Sequence, residues 1–321
     1  MRALTSKIGT VCVIGGSGFV GQYVVQQLHN AGYAIRVPTR NTERAKALLV
    51  LPAADVVEAD VHDPLQLSQA LSGMDAVINL AGILHERSAK RADFRRVHVE
   101  LPGKIVKACR KHGIRRLLHM SALGANLGAQ SAYARSKAQG EDRLRNATLN
   151  LTVFRPSVIF GPEDAFLNQF AALLRHLPFL PLACGDAKLQ PVYVQDVARA
   201  FVSSLENSAT FGQTYELCGP KIYTLQQLVE YVSALQQRRR WIFSLGARAS
   251  YLQAWLLEKL PGKLMTRDDY HALLGHSVCG CAFPAAFGFQ PTALEAVAAQ
   301  YLGPEAMASS YDLWRGQARR K

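Results

Sequence analysis

A chain of 321 residues that is 49% hydrophobic and 19% charged has the composition of a soluble globular protein, long enough for one large domain or two modest ones. That composition excludes a disordered or fibrous chain, and no apolar run approaches the ~20 residues that a membrane helix needs. The net charge of +13 is spread over short stretches such as RSAKRADFRR (87–96) and RKHGIRR (110–116), with no nucleic-acid motif beside them; this argues against DNA or RNA and leaves solvation, or attraction to phosphates and lipid headgroups.

From its start, MRALTSKIGTVCVIGG, the chain runs almost directly into a strand, so no secretory signal and a cytoplasmic location are expected. β-branched runs at 10–15, 34–37, 54–59, 75–82, 116–121 and 149–155 read as strands, and helical periodicity fills 18–31, 42–50, 98–112 and 131–147. Strands alternating with helices predict a parallel sheet with helices on both faces, and the apolar character of the strands fits cover on both sides. The expected fold is therefore α/β, a Rossmann-type doubly wound parallel sheet over 1–160. A smaller C-terminal lobe would occupy 161–321, where the rhythm loosens into Pro/Gly-rich loops. Segments such as LQPVYV (189–194) and QTYEL (213–217) are free to return to the sheet.

The first strand ends in VCVIGGSGFVGQYVVQQL, with Gly15, Gly18 and Gly21 at G-x-x-G-x-x-G spacing before a helix. Glycines permit the tight turn, the approach of backbone to a pyrophosphate and close helix packing, and the helix N-terminus offers free N–H groups to phosphates. At the end of the second strand, RVPTRN places Thr39 and Arg40 where NAD-binding chains carry an acid. An Arg there pairs with a 2′-phosphate, so NADP(H) is expected in preference to NAD(H).

Further on, Ser121 closes the fifth strand, and Tyr133 and Lys137 stand four residues apart on one helix face. With 11 Tyr and 12 Lys in the chain, about 0.4 such pairs arise by chance, so the pair gains meaning only from what precedes it. In this context a lysine ammonium would favour the phenolate of Tyr133, and Tyr133 would exchange a proton with a carbonyl oxygen held by Ser121.

GGSGFVG, EADVHDP (58–64), NLAG (79–82), HMSALGA (119–125), YARSK (133–137) and FRPSVIFGPED (154–164), in this order and spacing, resemble the extended and atypical short-chain dehydrogenase/reductases, a group that is NAD-dependent epimerase/dehydratase-like. AGILHE, FRRVHVE, LQPVYVQDVARA, TYELCGP and LMTRDDYHAL are similar to the branch that holds the nucleotide-binding accessory subunit of mitochondrial respiratory complex I and its bacterial relatives; the likeness covers roughly residues 10–302. Leu101-Pro102 departs from that branch, where a Gly is usual, and bears on how the following helix starts. The resemblance implies that Gly15, Ser17, Gly18, Phe19 and Val20 form the pyrophosphate turn, with Asp60 and Val61 flanking the adenine. It implies that Leu80, Ala81 and Gly82 line the adenosine and ribose, that Tyr133 and Lys137 reach the nicotinamide ribose, and that Pro156 and Ser157 lie beside the nicotinamide. It points both to an oxidoreductase with an unknown carbonyl or hydroxyl substrate and to a non-catalytic subunit or assembly factor of an NADH:quinone oxidoreductase.

Six cysteines scattered through a long chain predict reduced thiols, and Cys279-Gly-Cys281 with His276 lacks the spacing of a metal site. The segment RRRWIFSLGARASYLQAWLLEKL (238–260) carries Tyr251, Leu252, Trp255 and Leu256 at helical spacing beside basic residues. Such a stripe is commonly the inner face of a lobe helix. Its other reading is a contact with a respiratory-complex partner or with the inner face of the cytoplasmic membrane.

Overall fold

The computed structural model describes residues 8–86, 93–260 and 264–303; the first six residues of the basic run 87–96 lie outside this set. In chain order the elements are β1 (Thr10–Ile14), α1 (Phe19–Asn30), β2 (Ala34–Thr39), β3 (Ala54–Glu58), α2 (Pro64–Leu71), β4 (Ala76–Asn79), α3 (Leu101–Lys111), β5 (Arg116–Met120), α4 (Ala132–Arg145) and β6 (Asn150–Pro156). There follow β7 (Ile159–Phe160), α5 (Ala165–His176), β8 (Phe179–Ala183), β9 (Lys188–Leu189), β10 (Val192–Tyr193), α6 (Val194–Ser204) and β11 (Thr214–Leu217). The last are β12 (Tyr223–Thr224), α7 (Leu225–Leu235), β13 (Trp241–Leu245), α8 (Ala247–Leu257), α9 (Arg267–Leu274) and α10 (Leu294–Leu302).

Two compact units emerge. The first gathers the described residues of Met1–Pro156 with Val194–Leu217 and Pro284–Phe289; the second gathers those of Ser157–Tyr193, Cys218–Phe283 and Gln290–Lys321. The first unit holds a seven-stranded parallel sheet in the order β11-β6-β5-β4-β1-β2-β3. The order reverses between β1 and β4, which opens a crevice at the carboxyl ends of the strands. Alternate residues of each strand meet different layers. Cys12, Ile14, Val77, Leu117 and Val153 pack against Leu67 and Leu71 of α2 and Leu101, Ile105 and Cys109 of α3. α1 and α6 lie against each other on the opposite face. Each fully buried Leu or Ile contributes about 1.5–3 kcal/mol, which is why the central strands are largely apolar.

Three local features depart from the sequence expectation. The helix expected over 42–50 is a 3₁₀ helix, Thr42–Leu48, capped by Asn41 Oδ1 accepting from the Glu43 amide. α2, which the periodicity left unmarked, is set by a strong start: Asp63 Oδ1 accepts from the Leu65 and Gln66 amides, with Pro64 at the first helical position. The helix expected from 98 begins earlier, as a π-helical turn over Arg95–Glu100, and becomes α-helical at Leu101. Pro102, which has no N–H to donate back into the preceding turn, marks that change.

The second unit is built on Phe160, Leu167, Leu174, Leu180, Leu182, Leu228, Val229, Val232, Leu294 and Ala298, with α5 against α7. It corrects the expectation of six reduced thiols. Cys218 and Cys279 form a disulfide with a Cα–Cα distance of 6.0 Å, while Cys12, Cys109, Cys184 and Cys281 are free. The pairing spans 61 residues and so leaves no local signature in the sequence. Gln190 holds its two ends together: Nε2 donates to Gly219 O at 2.7 Å, and Oε1 accepts from the Cys279 amide at 3.1 Å. Among the described residues no helix is long and apolar enough to cross a membrane, and no group of three His, Cys, Asp or Glu stands ready for a metal.

Candidate functional site

The first unit brings the expected dinucleotide residues other than Ser157 to one end of its sheet. Gly15 follows β1 with φ of 82°, a conformation that favours glycine, and a Cβ there would lie 2.9 Å from Ala81 N. A Cβ on Gly21 would collide with Gly15 O and stand 2.6 Å from Gly16 C. The turn and α1 therefore fit against each other only as glycines. Gly18 caps α1 and supplies no side-chain acceptor, so no side chain occupies the donors of the first turn. A glycine cradle with such a helix start has the donors and the room to hold a phosphate, and these residues fit a pyrophosphate.

Around that turn lie Leu80 and Ala81, after β4, where Leu80 N donates to Ile14 O at 2.8 Å and Ala81 N to Asn79 Oδ1 at 3.2 Å. Asp60, after β3, accepts from the His62 amide through Oδ1 and lies 3.7 Å from Arg96 Nη2. Val61 packs partly buried against the core. Arg40 stands exposed at the end of β2, and Arg40, Arg96 and Lys104 all bear on His62. Burial, then the charges of Arg96, Lys104 and Arg40, hold the His62 imidazole below its usual pKa despite the opposing pull of Asp60. Of these three cations Arg40 follows β2, Arg96 stands on the helical turn Arg95–Glu100 and Lys104 on α3.

The second cluster is built on α4. Its start is capped by Ser131 Oγ, which accepts from Ala134 N, and this sets Tyr133 in the first turn and Lys137 one turn later. Lys137 is only 3% exposed; its Nζ donates to Met120 O at 3.2 Å, next to Ser121, and lies 5.8 Å from the Tyr133 ring centre. A Cβ on Gly82 would come within 3.1 Å of that same Nζ, so Gly82 leaves the room that the ammonium occupies. Burial pulls the Lys137 pKa down to about 8, against the opposing pull of Glu141.

Several residues of this cluster escaped the sequence reading. Glu141, one turn beyond Lys137 and buried, takes Arg155 Nε at 2.8 Å and Nη2 at 2.7 Å and Arg145 Nη2 at 3.1 Å. Burial alone would raise its pKa; hydrogen bonds from Arg155, Ser121 and Arg145 outweigh that and hold it low. The Ser121 hydroxyl is buried and has no partner in good hydrogen-bond geometry, although it stands near enough to Glu141 to favour the carboxylate.

His98, on the π-helical turn, stacks on Phe94 with ring centres 5.4 Å apart and meets Tyr133 edge-on at 5.5 Å. Its Nε2 accepts from Ile83 N at 3.1 Å, which leaves Nδ1–H to donate to Ser136 Oγ at 2.8 Å; Ser136 in turn donates to Tyr133 O. Burial first, then the Lys137 charge, press its pKa to about 2, so His98 is a neutral brace and no acid–base group. Gly140 makes the close approach possible, because a Cβ there would run into His98 O. A second neutral histidine, His119, accepts from Asn79 Nδ2 at 3.1 Å and has its pKa pushed to about 3, chiefly by burial; its Nε2 is buried without a partner. The only sequence signals for these roles are the VHVE and SKAQGE spellings, which carry no chemistry until the fold joins them.

Pro156 ends β6 in the first unit, and its carbonyl accepts from Leu123 N at 2.9 Å. Ser157 opens the second unit, where its hydroxyl donates to Ser277 O at 2.9 Å.

Against this geometry the comparisons are specific. The family model described as NAD dependent epimerase/dehydratase family matches residues 11–218. The chain belongs to this family. Among its relatives, subunit 9 of the NADH dehydrogenase [ubiquinone] 1 alpha subcomplex, mitochondrial, from Arabidopsis thaliana is 35% identical over 68% of the chain, and the match spans 56% of that protein's length. A ceramide reductase from Caulobacter vibrioides is 30% identical over 62% of each chain. The crystal structure of an NADPH-dependent quinone oxidoreductase from Escherichia coli, complexed with NADPH, covers 91% of this chain with a TM-score of 0.73. At 22% identity that last likeness is one of fold.

Proposed function

We propose that this epimerase/dehydratase-family chain is an oxidoreductase that binds NADP(H) in preference to NAD(H) and reduces a carbonyl, or oxidises the matching hydroxyl, on a hydrophobic substrate of lipid or quinone type. The observation that carries the reading is the buried Lys137 ammonium, fixed to Met120 O beside Ser121 and one helical turn from Tyr133. No packing need explains an ammonium there, since burying it costs free energy. Near a tyrosine it favours the phenolate.

In this reading the glycine turn and the start of α1 hold the pyrophosphate, Asp60 and Val61 flank the adenine, and Leu80, Ala81 and Gly82 line the ribose. Arg40 takes the 2′-phosphate, with Arg96 and Lys104 adding positive field. Pro156 lies beside the nicotinamide. The bound dinucleotide supplies the hydride. Ser121 Oγ donates a hydrogen bond to the substrate oxygen, and the Tyr133 hydroxyl delivers the proton, so that a carbonyl, a hydride and a proton become an alcohol. Lys137 holds the nicotinamide ribose hydroxyls and steadies the phenolate left behind. The name of the Caulobacter relative, a reductase of a lipid, supports the substrate class.

A second reading has its own support: the Arabidopsis relative is named as a subunit of a larger enzyme, and Lys137 and Tyr133 would serve equally to retain a dinucleotide without turnover. The two separate when purified protein loaded with NADPH meets a lipid and quinone extract and loss of NADPH absorbance is followed. Oxidation that Tyr133→Phe abolishes establishes the enzyme; tight NADPH retention without oxidation in either protein rejects it in favour of the subunit. Arg40→Ala should weaken NADPH at least tenfold and spare NADH, and equal losses for both would refute the 2′-phosphate role.

A further inference from the structure

The second unit turns one surface, made by β8, β13 and α8, inside out. β8 and β13 pair in parallel with Trp241 opposite Phe179 and Phe243 opposite Pro181. Alternation sends Leu180 and Leu182 into the core, with Ile242 packed against it, and leaves Phe179, Trp241 and Phe243 outside. Trp241 is 82% exposed and Phe179 56%. α8 is tied to the same strands, Gln253 Nε2 donating to Pro181 O at 2.8 Å and Ser250 Oγ to Leu245 O at 2.9 Å.

The buried residues of α8 are the small Ser250 and Ala254, while Tyr251, Leu252, Trp255 and Leu256 are exposed. A surface helix normally does the reverse. This overturns the expectation that the stripe is the inner face of a lobe helix: the small residues allow α8 to sit close to its strands, and its large ones are left over. Large apolar groups exposed together on neighbouring elements, unlike scattered single ones, mark a docking surface.

The segment that forms β13 and α8 is itself strongly basic, while the acids Asp268 and Asp269 stand at the start of the neighbouring α9. Between 238 and 260 stand five basic residues, Arg238, Arg239, Arg240, Arg248 and Lys259, and one acid, Glu258. That acid is taken up by Arg267 Nε at 2.8 Å. Arg238 and Arg240 donate to Arg175 O and Leu174 O at the end of α5, which fixes them beside the patch without cancelling their charge. Lys259 Nζ lies 3.4 Å from the centre of the Trp255 ring. A protein partner meets a rim of mixed charge, whereas a bilayer with anionic lipids presents one negative potential over the whole contact. Aromatic rings settle at headgroup depth, and long basic side chains reach the phosphates around them.

We propose that this face docks the protein on the surface of an anionic lipid bilayer, with Trp241, Phe243, Leu252 and Leu256 entering the headgroup layer and Arg238–Arg240, Arg248 and Lys259 on the lipid phosphates. The proposal stands on the second unit alone and holds whether or not the dinucleotide site turns over. The full chain is sedimented with vesicles of phosphatidylcholine, or of phosphatidylcholine with a quarter phosphatidylglycerol. Binding should be at least tenfold tighter to the anionic vesicles and should weaken with added salt. Leu252→Gln with Leu256→Gln, at exposed positions that folding does not need, should lower it tenfold or more with unchanged melting temperature. Brominated lipid should quench the wild-type tryptophan emission, and Trp241→Phe with Trp255→Phe should abolish that quenching. Failure of the wild type to bind anionic vesicles overturns the proposal, as does quenching that persists in the tryptophan variant. Self-association that the leucine pair abolishes, without vesicle binding, would likewise overturn it and make the face a contact between copies.

Discussion

Replacing Lys137 with methionine should make the protein more stable at neutral pH while weakening its hold on a dinucleotide. Burial takes the Lys137 pKa from the ordinary 10.5 to about 8. At about 1.4 kcal/mol for each pH unit, keeping the ammonium charged in the folded chain at pH 7 costs on the order of 3 kcal/mol relative to the unfolded chain. Methionine removes that cost at similar length, but it leaves Met120 O without its donor, a loss of about 1–3 kcal/mol. The net gain at pH 7 is therefore about 1 kcal/mol.

The pH dependence gives the sharper test. A lysine with a lowered folded pKa weakens the fold fully below pH 8. Between pH 8 and 10.5 the unfolded chain binds the extra proton, so wild-type stability rises with pH and the penalty is gone above 10.5. Urea unfolding followed by circular dichroism at pH 7, 8, 9 and 10.5 should show the wild type gaining on Lys137→Met by about 3 kcal/mol over that range, with the order of stabilities reversed at the top. A difference that stays constant with pH would refute the reasoning, since it would mean that Lys137 titrates as it does in water.

Three other outcomes follow from the same structure. Gly21→Ala drives a Cβ into the backbone of Gly15 and Gly16, which cannot step aside, so dinucleotide binding should be lost with a destabilisation of about 1–3 kcal/mol or more, read by fluorescence titration and melting. Glu141→Gln leaves Arg155, a quarter exposed, without its carboxylate, at a cost on the order of 3 kcal/mol at pH 7. Because the Glu141 pKa is lowered, that contribution is complete above the ordinary carboxylate range and fades as pH falls through it, so wild type and variant should converge in acid. Cys218→Ser opens a loop of about 61 residues and should lower stability by about 4 kcal/mol in unfolding experiments; dithiothreitol should produce the same drop in the wild type and none in the variant.

The placement of the residues proposed to hold a dinucleotide was legible because the requirements of such a turn are local. Gly15, Gly18 and Gly21 sit within seven residues of one another, and a turn between a strand and a helix leaves few residues that fit. Arg40, Asp60, Leu80 and Ser121 follow the same logic, since in a parallel sheet every strand points its carboxyl end to one edge and the residue after a strand is placed by the strand alone. Tyr133 and Lys137 needed only the helical period. Strands β1 and β4 to β6 were readable for a related reason: cover on both faces gives each an unbroken apolar run or a majority of apolar positions.

What the tertiary structure decided are the partnerships between distant residues. His98 reads in sequence as one histidine among nine, and becomes a neutral brace only where Gly140 lets its turn approach α4. Arg116, counted in sequence with the solvated charges, is buried with Nε on Leu205 O and Nη2 on Ser204 O and Thr210 Oγ1, pinning the end of α6 to β5. The Cys218–Cys279 disulfide and the outward face of α8 belong here too. Helical spacing shows that Tyr251, Leu252, Trp255 and Leu256 share a stripe, and it cannot show which way the stripe points. That direction was fixed by Ser250 and Ala254, whose small side chains let the helix settle against β8 and β13 and turned the large ones outward.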